Sequence, residues 1–560
     1  MHIMRNAERV SAPAADSAES QDAARWRGAR VAWLAAVAVA IVALFLLYWL
    51  QARPETVGSD GASVILQGSD MLHGNLLLHG WFTADVSFYS TEVVQYMLLQ
   101  TVLAMSPGLV FVAGAMTYTI LVVLAGWLAK GRATGREGIL RVCVGVGVMI
   151  APAFGSLLHA PDHLGSAVPV LLVWLVIDRC PRRWWVPAVV CVLLAWGVVA
   201  DPLIEITGAA AIAVACGTRG CYQLLQRRRR SGDGPGAAPL WFELSLAVAA
   251  VVSVGLARLV IAAIHAAGGF TAHPVVAGFM GFAGIWQHAA ITAKGLLALF
   301  GAAFWTETPG QHVPGWQMLF NYVHLVGVAL VIVGFALALR RFFRADSLLA
   351  AGLAAGIVLN VAAFMTSRFA TDLLSIREAS AVLPFSAVLA GRLLPSHLLN
   401  GARLRKLRPV PVLAAIGVLY AAMLGVNSIV ARPSTPYYQN VADWLSGHHL
   451  TNGLATGYWM ANIVTVDAGD QVKVRVAKVV NGTVARSGPW EINTQWYDPS
   501  VSTANFLLTD AGAGSGEWKT QMRAAEATFG HPARTYRFDG FTVFTWRGNI
   551  LTSLRPTPGT

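Results

Sequence analysis

Residues 31–50 read VAWLAAVAVAIVALFLLYWL, a run without a charged side chain. As a helix, a run of this length crosses the hydrocarbon core of a bilayer, which is about 30 Å thick. It follows a polar leader and shows no small-residue cleavage site, so we expect an uncleaved first span rather than a secretory signal peptide. A polar stretch, residues 51–92, comes next and begins QARPETVGSDG. A membrane protein has little reason to carry such a loop unless chemistry takes place there.

The composition of the whole chain agrees with this first span. Of the 560 residues, 56% are hydrophobic and 12% are charged, whereas soluble domains usually carry about 25% charged residues. We therefore predict a mainly α-helical, polytopic membrane protein with about eleven spans. The predicted spans are residues 31–50, 105–129, 141–157, 164–178, 185–200, 203–217, 241–264, 318–339, 347–365, 381–395 and 410–429. Residues 286–304 are apolar as well, and the sequence leaves open whether they cross the membrane.

The charges favour one orientation of these spans. Lys and Arg cluster in alternate loops, within residues 5–30, 130–141, 179–183, 219–230, 340–344 and 392–408, and only about four lie in the loops between. This asymmetry is the positive-inside pattern, which puts the N-terminus in the cytoplasm and residues 51–92 outside the plasma (inner) membrane. The net charge of +12 is then explained by contact with anionic membrane lipids, and we expect no nucleic-acid partner.

Three regions follow from this pattern. Residues 1–30 are polar and are predicted to be a disordered cytoplasmic N-terminus, and residues 31–430 form the predicted transmembrane domain. Residues 431–560 have mixed polarity, with alternating strand patterns such as 472–480 and a helical pattern at 517–529. We predict a small C-terminal α/β domain, which an odd number of spans makes extracytoplasmic.

Asp60 is the first candidate for chemistry. It follows the first span closely and stands near Gly58 and Gly61, which let the backbone approach a ligand. A carboxylate there is able to take a proton from an acceptor hydroxyl as a general base. The competing interpretation is an aspartate in an ordinary Gly-Ser-Asp-Gly turn.

The second candidate is the motif His159-Ala160-Pro161-Asp162-His163 between two predicted spans. Two imidazoles and a carboxylate on the same side as Asp60 are suited to binding a divalent cation or a phosphate-linked sugar. Asp162 and His163 are the candidate metal ligands, and Mg²⁺ or Mn²⁺ as a cofactor stays open because the spacing matches no strong zinc pattern. A polar turn without a ligand is the competing interpretation.

Basic side chains are scarce in the predicted outer loops, so Arg377 and nearby Arg368 are candidates for binding a negatively charged substrate. A guanidinium binds a phosphate through two parallel hydrogen bonds. The alternative is that Arg377 pairs with Glu378 or with lipid headgroups. Glu92 in the first loop is a weaker candidate for substrate binding.

Asp201 and Glu205 lie four residues apart near the end of a predicted span. If the helix continues past Pro202, the two acids share one face and form a second carboxylate pair in the cavity. A turn at the span end with one hydrated acid is equally compatible with the sequence.

The positions of Asp60, Asp162 and Arg377 resemble the sparse polar residues of the GT-C superfamily of membrane glycosyltransferases. So do the cytoplasmic N-terminus, the long first outer loop, the number of spans and the exported C-terminal domain. The resemblance covers about residues 31–430 and implies a GT-C-like helical bundle. It implies a polyprenyl-phosphate sugar donor, with Asp60 as the catalytic aspartate and Arg377 as a contact of the donor phosphate.

The same resemblance implies inverting transfer to a cell-envelope glycan, lipid or protein acceptor on the outer face, with the His159 and His163 cluster near the leaving phosphate. The first loop has no adjacent Asp-Glu pair and the C-terminal region has no WWDYG-like signature. Both departures argue against an oligosaccharyltransferase. A composition rich in Ala, Val, Arg and Gly is typical of a high-GC bacterium.

Two other functions stay open at this stage. A transporter or flippase of lipids or lipid-linked sugars predicts polar groups along a path through the bilayer, with broken spans at mid-depth. A non-catalytic membrane scaffold predicts no cavity that joins Asp60, Asp162 and Arg377. Most acids lie in the predicted outer loops, which favours the transferase.

Overall fold

The computed structural model describes residues 15–153, 155–180, 182–229, 240–274, 278–305, 315–344, 346–400, 409–510 and 516–555. Residues 1–14 of the predicted N-terminal region lie outside the described residues. The part of the chain up to residue 430 is helical. Its helices are α1 (Ala15–Ala52), α2 (Ser59–Leu72), α3 (Val94–Gln100), α4 (Gly108–Lys130), α5 (Gly135–Met149), α6 (Ala167–Arg179), α7 (Val186–Ala200), α8 (Ala211–Arg229), α9 (Leu240–Ala266), α10 (Phe282–Leu299), α11 (Gly315–Arg340), α12 (Leu348–Thr366), α13 (Val382–Asn400) and α14 (Pro409–Val430).

Every predicted span overlaps one of these helices, and the protein is a multi-pass membrane protein. In the described ranges, six helical segments are long and apolar enough to cross a bilayer: Gly28–Ala52, Gly108–Lys130, Leu240–Ala266, Gln317–Arg340, Leu348–Thr366 and Val382–Leu399. Val186–Ala200 and Ala414–Val430 are apolar but shorter. The count of eleven spans therefore stays a prediction, and the undecided segment 286–304 coincides largely with α10.

The basic loops meet at one end of the helical bundle. Arg392 on α13 bonds the Asp178 carboxylate at 2.6 Å and donates to the carbonyl of Leu128 at 2.9 Å, which joins the ends of α13, α6 and α4. Arg219 on α8 bonds Glu243 on α9 at 2.9 Å. This clustering is the arrangement that the positive-inside pattern requires, while the side of the membrane on which it lies stays a prediction.

The C-terminal part is an α/β unit, as predicted. The strands of the chain are β1 (Trp81–Thr83), β2 (Thr271–Ala272), β3 (Asn452–Ala455), β4 (Lys473–Val480), β5 (Thr483–Arg486), β6 (Ile492–Asn493), β7 (Phe506–Thr509), β8 (Arg534–Phe538) and β9 (Phe541–Thr545). Six of them form one sheet in the order β5-β4-β3-β7-β9-β8, with β3 parallel to β4 and β7. The flanking helices are α15 (Gln439–Gly447), α16 (Tyr458–Asp467) and α17 (Gly516–Phe529).

A second, three-stranded sheet joins distant parts of the chain. β1 from the loop of residues 51–92 pairs with β2 and with β6, so that Phe82 lies opposite Thr271 on one side and Ile492 on the other. No sequence pattern predicts this sheet, because strands of two or three residues carry no readable alternation. The sheet attaches the first loop to the C-terminal unit.

The loop of residues 51–92 is more ordered than an open polar loop. From Ser59 it forms α2, which buries Ala62, Val64 and Ile65 and packs against α3 and α16. The contact with α3 is close, since a Cβ atom on Gly68 would lie 2.9 Å from the backbone nitrogen of Met97. The helix α2 ends at Leu72, and a turn follows.

Candidate functional site

Asp60 lies in the first turn of α2. Gly58 precedes the helix with an extended backbone, and Ser59 is the first helical residue. An acidic side chain at this position is favoured by the free N–H groups and the positive end of the helix dipole. Burial raises the pKa of Asp60 above its usual value, the charge of Arg377 opposes that rise, and the charge of Asp85 adds to it. The aspartate is therefore a stronger base than a solvated one.

Glu491 from the C-terminal unit lies beside Asp60. Their side chains share a hydrogen bond, and burial together with the Asp60 charge raises the pKa of Glu491 to about 8. Near neutral pH, Glu491 is thus the protonated partner that donates to the Asp60 carboxylate. The hydroxyl of Tyr458 donates a second bond to Glu491, so the three side chains form one connected group.

The local fold explains why Glu491 reaches Asp60. Glu491 directly precedes β6, which pairs with β1, and its backbone takes a φ of 47°. That left-handed conformation is uncommon for a glutamate. Tyr458 begins α16, and α16 packs along α2. The small sheet and this helix contact together bring the C-terminal acid to the N-terminal turn of α2.

A second group is centred on His163. Its Nδ1 lies 3.0 Å from Asp201 Oδ2 and its Nε2 lies 3.1 Å from Glu378 Oε2. Burial lowers the pKa of His163, but the Glu378 and Asp201 carboxylates outweigh burial and hold that pKa well above its ordinary value. The ring is therefore an imidazolium between two carboxylates, and His163 and Arg377 keep the pKa of Glu378 below its usual value although burial opposes them.

Two further acids are buried at the same place. Burial raises the pKa of Asp162 to about 6, against the charges of His163 and Arg377. Burial also raises the pKa of Glu92 to about 7, and Glu92 interacts electrostatically with Asp201 and His163. A Cβ atom at Gly165 would collide with the Glu92 carboxylate, so a larger residue there would displace that carboxylate from its present position. The cluster thus holds four acids but only two cations, His163 and Arg377.

Arg377 connects the two groups. Its charge acts on Asp60 in the first, and on Asp162 and Glu378 in the second. Arg377 lies in the short helical turn Leu374–Ala379, which packs against the turn His163–Ser166. The Arg377 charge therefore acts on both Asp60 and Asp162, the two acids that the sequence hypothesis grouped with it.

Two predicted site residues lie elsewhere. The His159 ring packs against Phe111, with centroids 5.9 Å apart, and interacts with Glu55 rather than with the His163 group. Burial lowers the pKa of His159, and its Nε2 is buried without a hydrogen-bond partner in the described part of the chain. Arg368 is exposed, and its aliphatic chain packs beside Gly278. Neither residue joins the cluster around Arg377.

The predicted metal ligands are arranged differently from a metal site. Both ring nitrogens of His163 already contact carboxylates, which leaves none free for an ion. Within the described ranges, no group of three or more His, Cys, Asp and Glu has a metal-binding arrangement. Asp162 and His163 are adjacent in sequence but act here as members of a charge network.

The suggested pairing of Asp201 with Glu205 is wrong. The helix α7 ends at Ala200, and Asp201 is extended, with a φ of −140°. Asp201 accepts a bond from the backbone N–H of Leu203 and contacts His163, whereas Glu205 forms an ion pair with Arg258 at 3.3 Å. The break at Pro202 separates the two acids.

Sequence reasoning missed Glu491 and Tyr458, and it considered Glu378 only as a partner of Arg377. Glu491 stands in Trp490-Glu491-Ile492 with no motif around it. The feature that identifies Glu491 as a candidate is the burial of its carboxyl group, and burial is known only once the fold is known.

No family model matches this sequence, and no curated protein sequence matches it. The chain is similar in structure to the Archaeoglobus fulgidus oligosaccharyltransferase tethered to an acceptor peptide containing the NVT sequon, with 11% identity and a TM-score of 0.44. That similarity covers 91% of this chain and 74% of the other. The same enzyme in complex with Zn and sulfate gives 10% identity, a TM-score of 0.40 and coverage of 87% and 70%.

Proposed function

We propose that this protein is a membrane glycosyltransferase that moves a sugar from a polyprenyl-phosphate donor to a cell-envelope glycan, lipid or protein on the extracytoplasmic face. The observation that carries the proposal is the position of Arg377, whose charge acts on both Asp60 and Asp162. A cation beside a buried base suits a reaction that releases a proton from one substrate and a phosphate from the other.

In the proposed step, the acceptor hydroxyl attacks the anomeric carbon of the donor sugar, and Asp60 takes the hydroxyl proton. The bond between the anomeric carbon and the phosphate oxygen breaks, and its electron pair leaves with the polyprenyl phosphate. Configuration at the anomeric carbon inverts. Burial supports the base role, because the raised pKa of Asp60 brings its basicity closer to what proton abstraction needs.

Glu491 regulates the basicity of Asp60 in this proposal. While protonated it donates a hydrogen bond to Asp60 and stabilises the carboxylate form. This bond, like the positive end of α2, keeps Asp60 ionised despite its burial. Tyr458 fixes Glu491 through its hydroxyl, so the base is held in place from the C-terminal side.

The leaving phosphate is assigned to Arg377, whose guanidinium is able to bind two phosphate oxygens at once. His163 has a supporting role, since its imidazolium lies between Asp201 and Glu378 and limits the negative charge that an incoming phosphate meets. The exposed position of Arg368 makes it a candidate for a more peripheral donor contact.

The competing functions are less compatible with this arrangement. A scaffold gives no reason to bury Glu92, Asp162 and Glu491 with raised pKa values, because each such acid costs stability near neutral pH. A transporter requires a polar path through the bilayer, whereas Glu205, an acid near the end of a predicted span, is paired with Arg258.

The test is sugar transfer by the full-length protein in membranes, with polyprenyl-phosphate mannose and polyprenyl-phosphate arabinose as labelled donors. We expect Asp60→Asn to lower the rate by about 10²- to 10⁴-fold, the usual contribution of a general base. Asp443→Asn, an exposed acid on α15, is the matched control and should leave the rate unchanged. Full transfer by Asp60→Asn at normal expression would remove the base role, and donor movement across vesicles without transfer would favour a transporter.

A further inference from the structure

A cavity of about 450 Å³ lies between α2 and the C-terminal sheet, away from the group around Arg377. Its size is in the range of small-molecule sites, which are usually about 300–1,000 Å³. Its polar lining includes Ser69, Asp70 and His73 from the C-terminal end of α2. Lys473 and Arg475 line the cavity from β4.

The two cations lie on one face of their strand. Along β4, Val474 and Val476 are buried in the core, and Lys473 and Arg475 alternate with them. Residues two apart on a strand point to the same face. The guanidinium of Arg475 stacks on the Trp496 ring, with its central carbon 3.8 Å from the ring centroid.

Arg475 has a hydrogen-bonding capacity that the described part of the chain does not fill. Its Nη1 atom is buried and has no hydrogen-bond partner among the described residues. A buried cationic N–H without an acceptor is costly, and native proteins rarely leave one so. The group therefore points to an acceptor that comes from outside the chain.

The aspartates that line this cavity already have partners. Asp70 Oδ2 accepts bonds from Trp81 Nε1 at 2.7 Å and from Asn493 Nδ2 at 3.3 Å. Asp470 lies 3.3 Å from the Lys473 ammonium. Arg475 is thus the cation that lacks a bonded carboxylate, with the hydroxyl residues Ser69, Ser502 and Thr503 also lining the cavity.

We infer that this cavity is a binding site for an oxyanion, either a carboxylate or a phosphate group, with Arg475 as its main ligand. Arg475 satisfies Nη1 by donating to an anionic oxygen, in a charge-assisted bond that is stronger than a neutral one. Serine and threonine hydroxyls complete the coordination of the remaining oxygens. The inference does not depend on the transferase, because it concerns binding alone.

Binding to the full-length protein in detergent micelles, measured by calorimetry, tests the site. The probes are glucuronate and inorganic phosphate, with glucose as the neutral comparison. We expect at least one anion to bind and glucose to bind tenfold or more weakly, and the tighter anion identifies the source of the charge. Arg475→Met should weaken anion binding by tenfold or more, whereas Arg475→Lys should weaken it less.

The matched control is Arg537→Met, which removes an exposed arginine that also stacks on a tryptophan, Trp518, outside the cavity. It should bind the anions as the unmodified protein does. If Arg475→Met does not fold, Lys473→Met, a half-exposed residue on the same face, replaces it and should weaken binding severalfold. Unchanged binding in the folded variant, equal binding of glucose, or no anion binding by the unmodified protein would each overturn the site.

Discussion

The carboxyl groups of Asp60 and Glu491 share a hydrogen bond, although one belongs to the loop after the first span and the other to the C-terminal unit. Two adjacent carboxyl groups in a buried place cannot both ionise cheaply, so one keeps its proton. Burial and the Asp60 charge assign that proton to Glu491. A C-terminal domain thus reaches into the site and sets the protonation of the proposed base.

Glu491→Gln should change how stability depends on pH. In the folded protein the pKa of Glu491 is about 8, against an ordinary value of 4.5. Between these values the folded state holds a proton that the unfolded chain has released, so stability falls as pH rises, by about 1.4 kcal/mol per pH unit for one full proton. Glutamine cannot ionise, and the variant should show a shallower fall in Tm from pH 5 to pH 8.

The control for that experiment is Glu517→Gln, an exposed acid in α17 of the same unit. It should keep the pH slope of the unmodified protein. Parallel curves for Glu491→Gln and the unmodified protein would mean that Glu491 is ionised throughout, and the proposed proton sharing with Asp60 would be wrong.

His163→Gln should destabilise the protein severely. It removes the cation between Asp201 and Glu378, and the loss of one partner from a buried ion pair typically costs about 3–5 kcal/mol. Adding Glu378→Gln should recover part of the loss in Tm, because it removes one of the acids left without a counter-charge.

An exposed ion pair provides the comparison for His163. His531 and Glu526 are 3.2 Å apart, and the His531 side chain is 91% exposed. Exposed pairs contribute about 0–1 kcal/mol, so His531→Gln should hardly move Tm. Equal effects at both histidines, or no recovery in the double variant, would show that the His163 group is not an electrostatic unit.

The sequence predicted the helical bundle well, because long apolar runs such as residues 31–50 admit few other structures. It also grouped Asp60 and Asp162 with Arg377, since scarce polar residues in alternate loops share one end of a bundle, and the Arg377 charge acts on both acids. It placed His159 with His163, although the turn between them directs the first toward Phe111 and the second toward Asp201. Sequence spacing does not give side-chain direction in a loop.

The position of Glu491 beside Asp60 could not be predicted from the sequence, for a different reason. Its position depends on β6 pairing with β1, a contact between strands too short to show a pattern and separated by most of the chain. Tertiary pairing of this kind is set by the packing of α16 on α2 rather than by local propensity. The sequence also does not predict the cavity lined by Arg475. In the sequence, Lys473 and Arg475 only alternate with the buried valines of a strand, a pattern that is typical of a solvent-facing side.

Arg377 and Arg368 are distinguished by a pair of substitutions. Arg377→Met should lower kcat/KM for the donor by about 10- to 100-fold, since a hydrogen-bonded charged group contributes about 1.5–3 kcal/mol. Arg377→Lys should lose less, because it keeps the charge but not the bidentate geometry. Arg368→Met should have little effect, because the charge that acts on Asp60, Asp162 and Glu378 is that of Arg377 and not that of Arg368. The reverse ranking in steady-state kinetics would move the phosphate contact to Arg368.

Arg219 tests the opposite end of the bundle. The Arg219 and Glu243 side chains are 1% and 2% exposed, and Arg219 also donates to the carbonyl of Arg344 at 2.9 Å. Arg219→Met leaves a buried carboxylate without its counter-charge, so we expect a loss of about 3–5 kcal/mol, seen as a lower Tm in detergent. Arg258→Met breaks an ion pair with Glu205 in which the arginine is 72% exposed, and it should cost less than about 1 kcal/mol. Similar losses for the two variants would mean that water reaches Glu243, and that the basic end of the bundle is not packed as described.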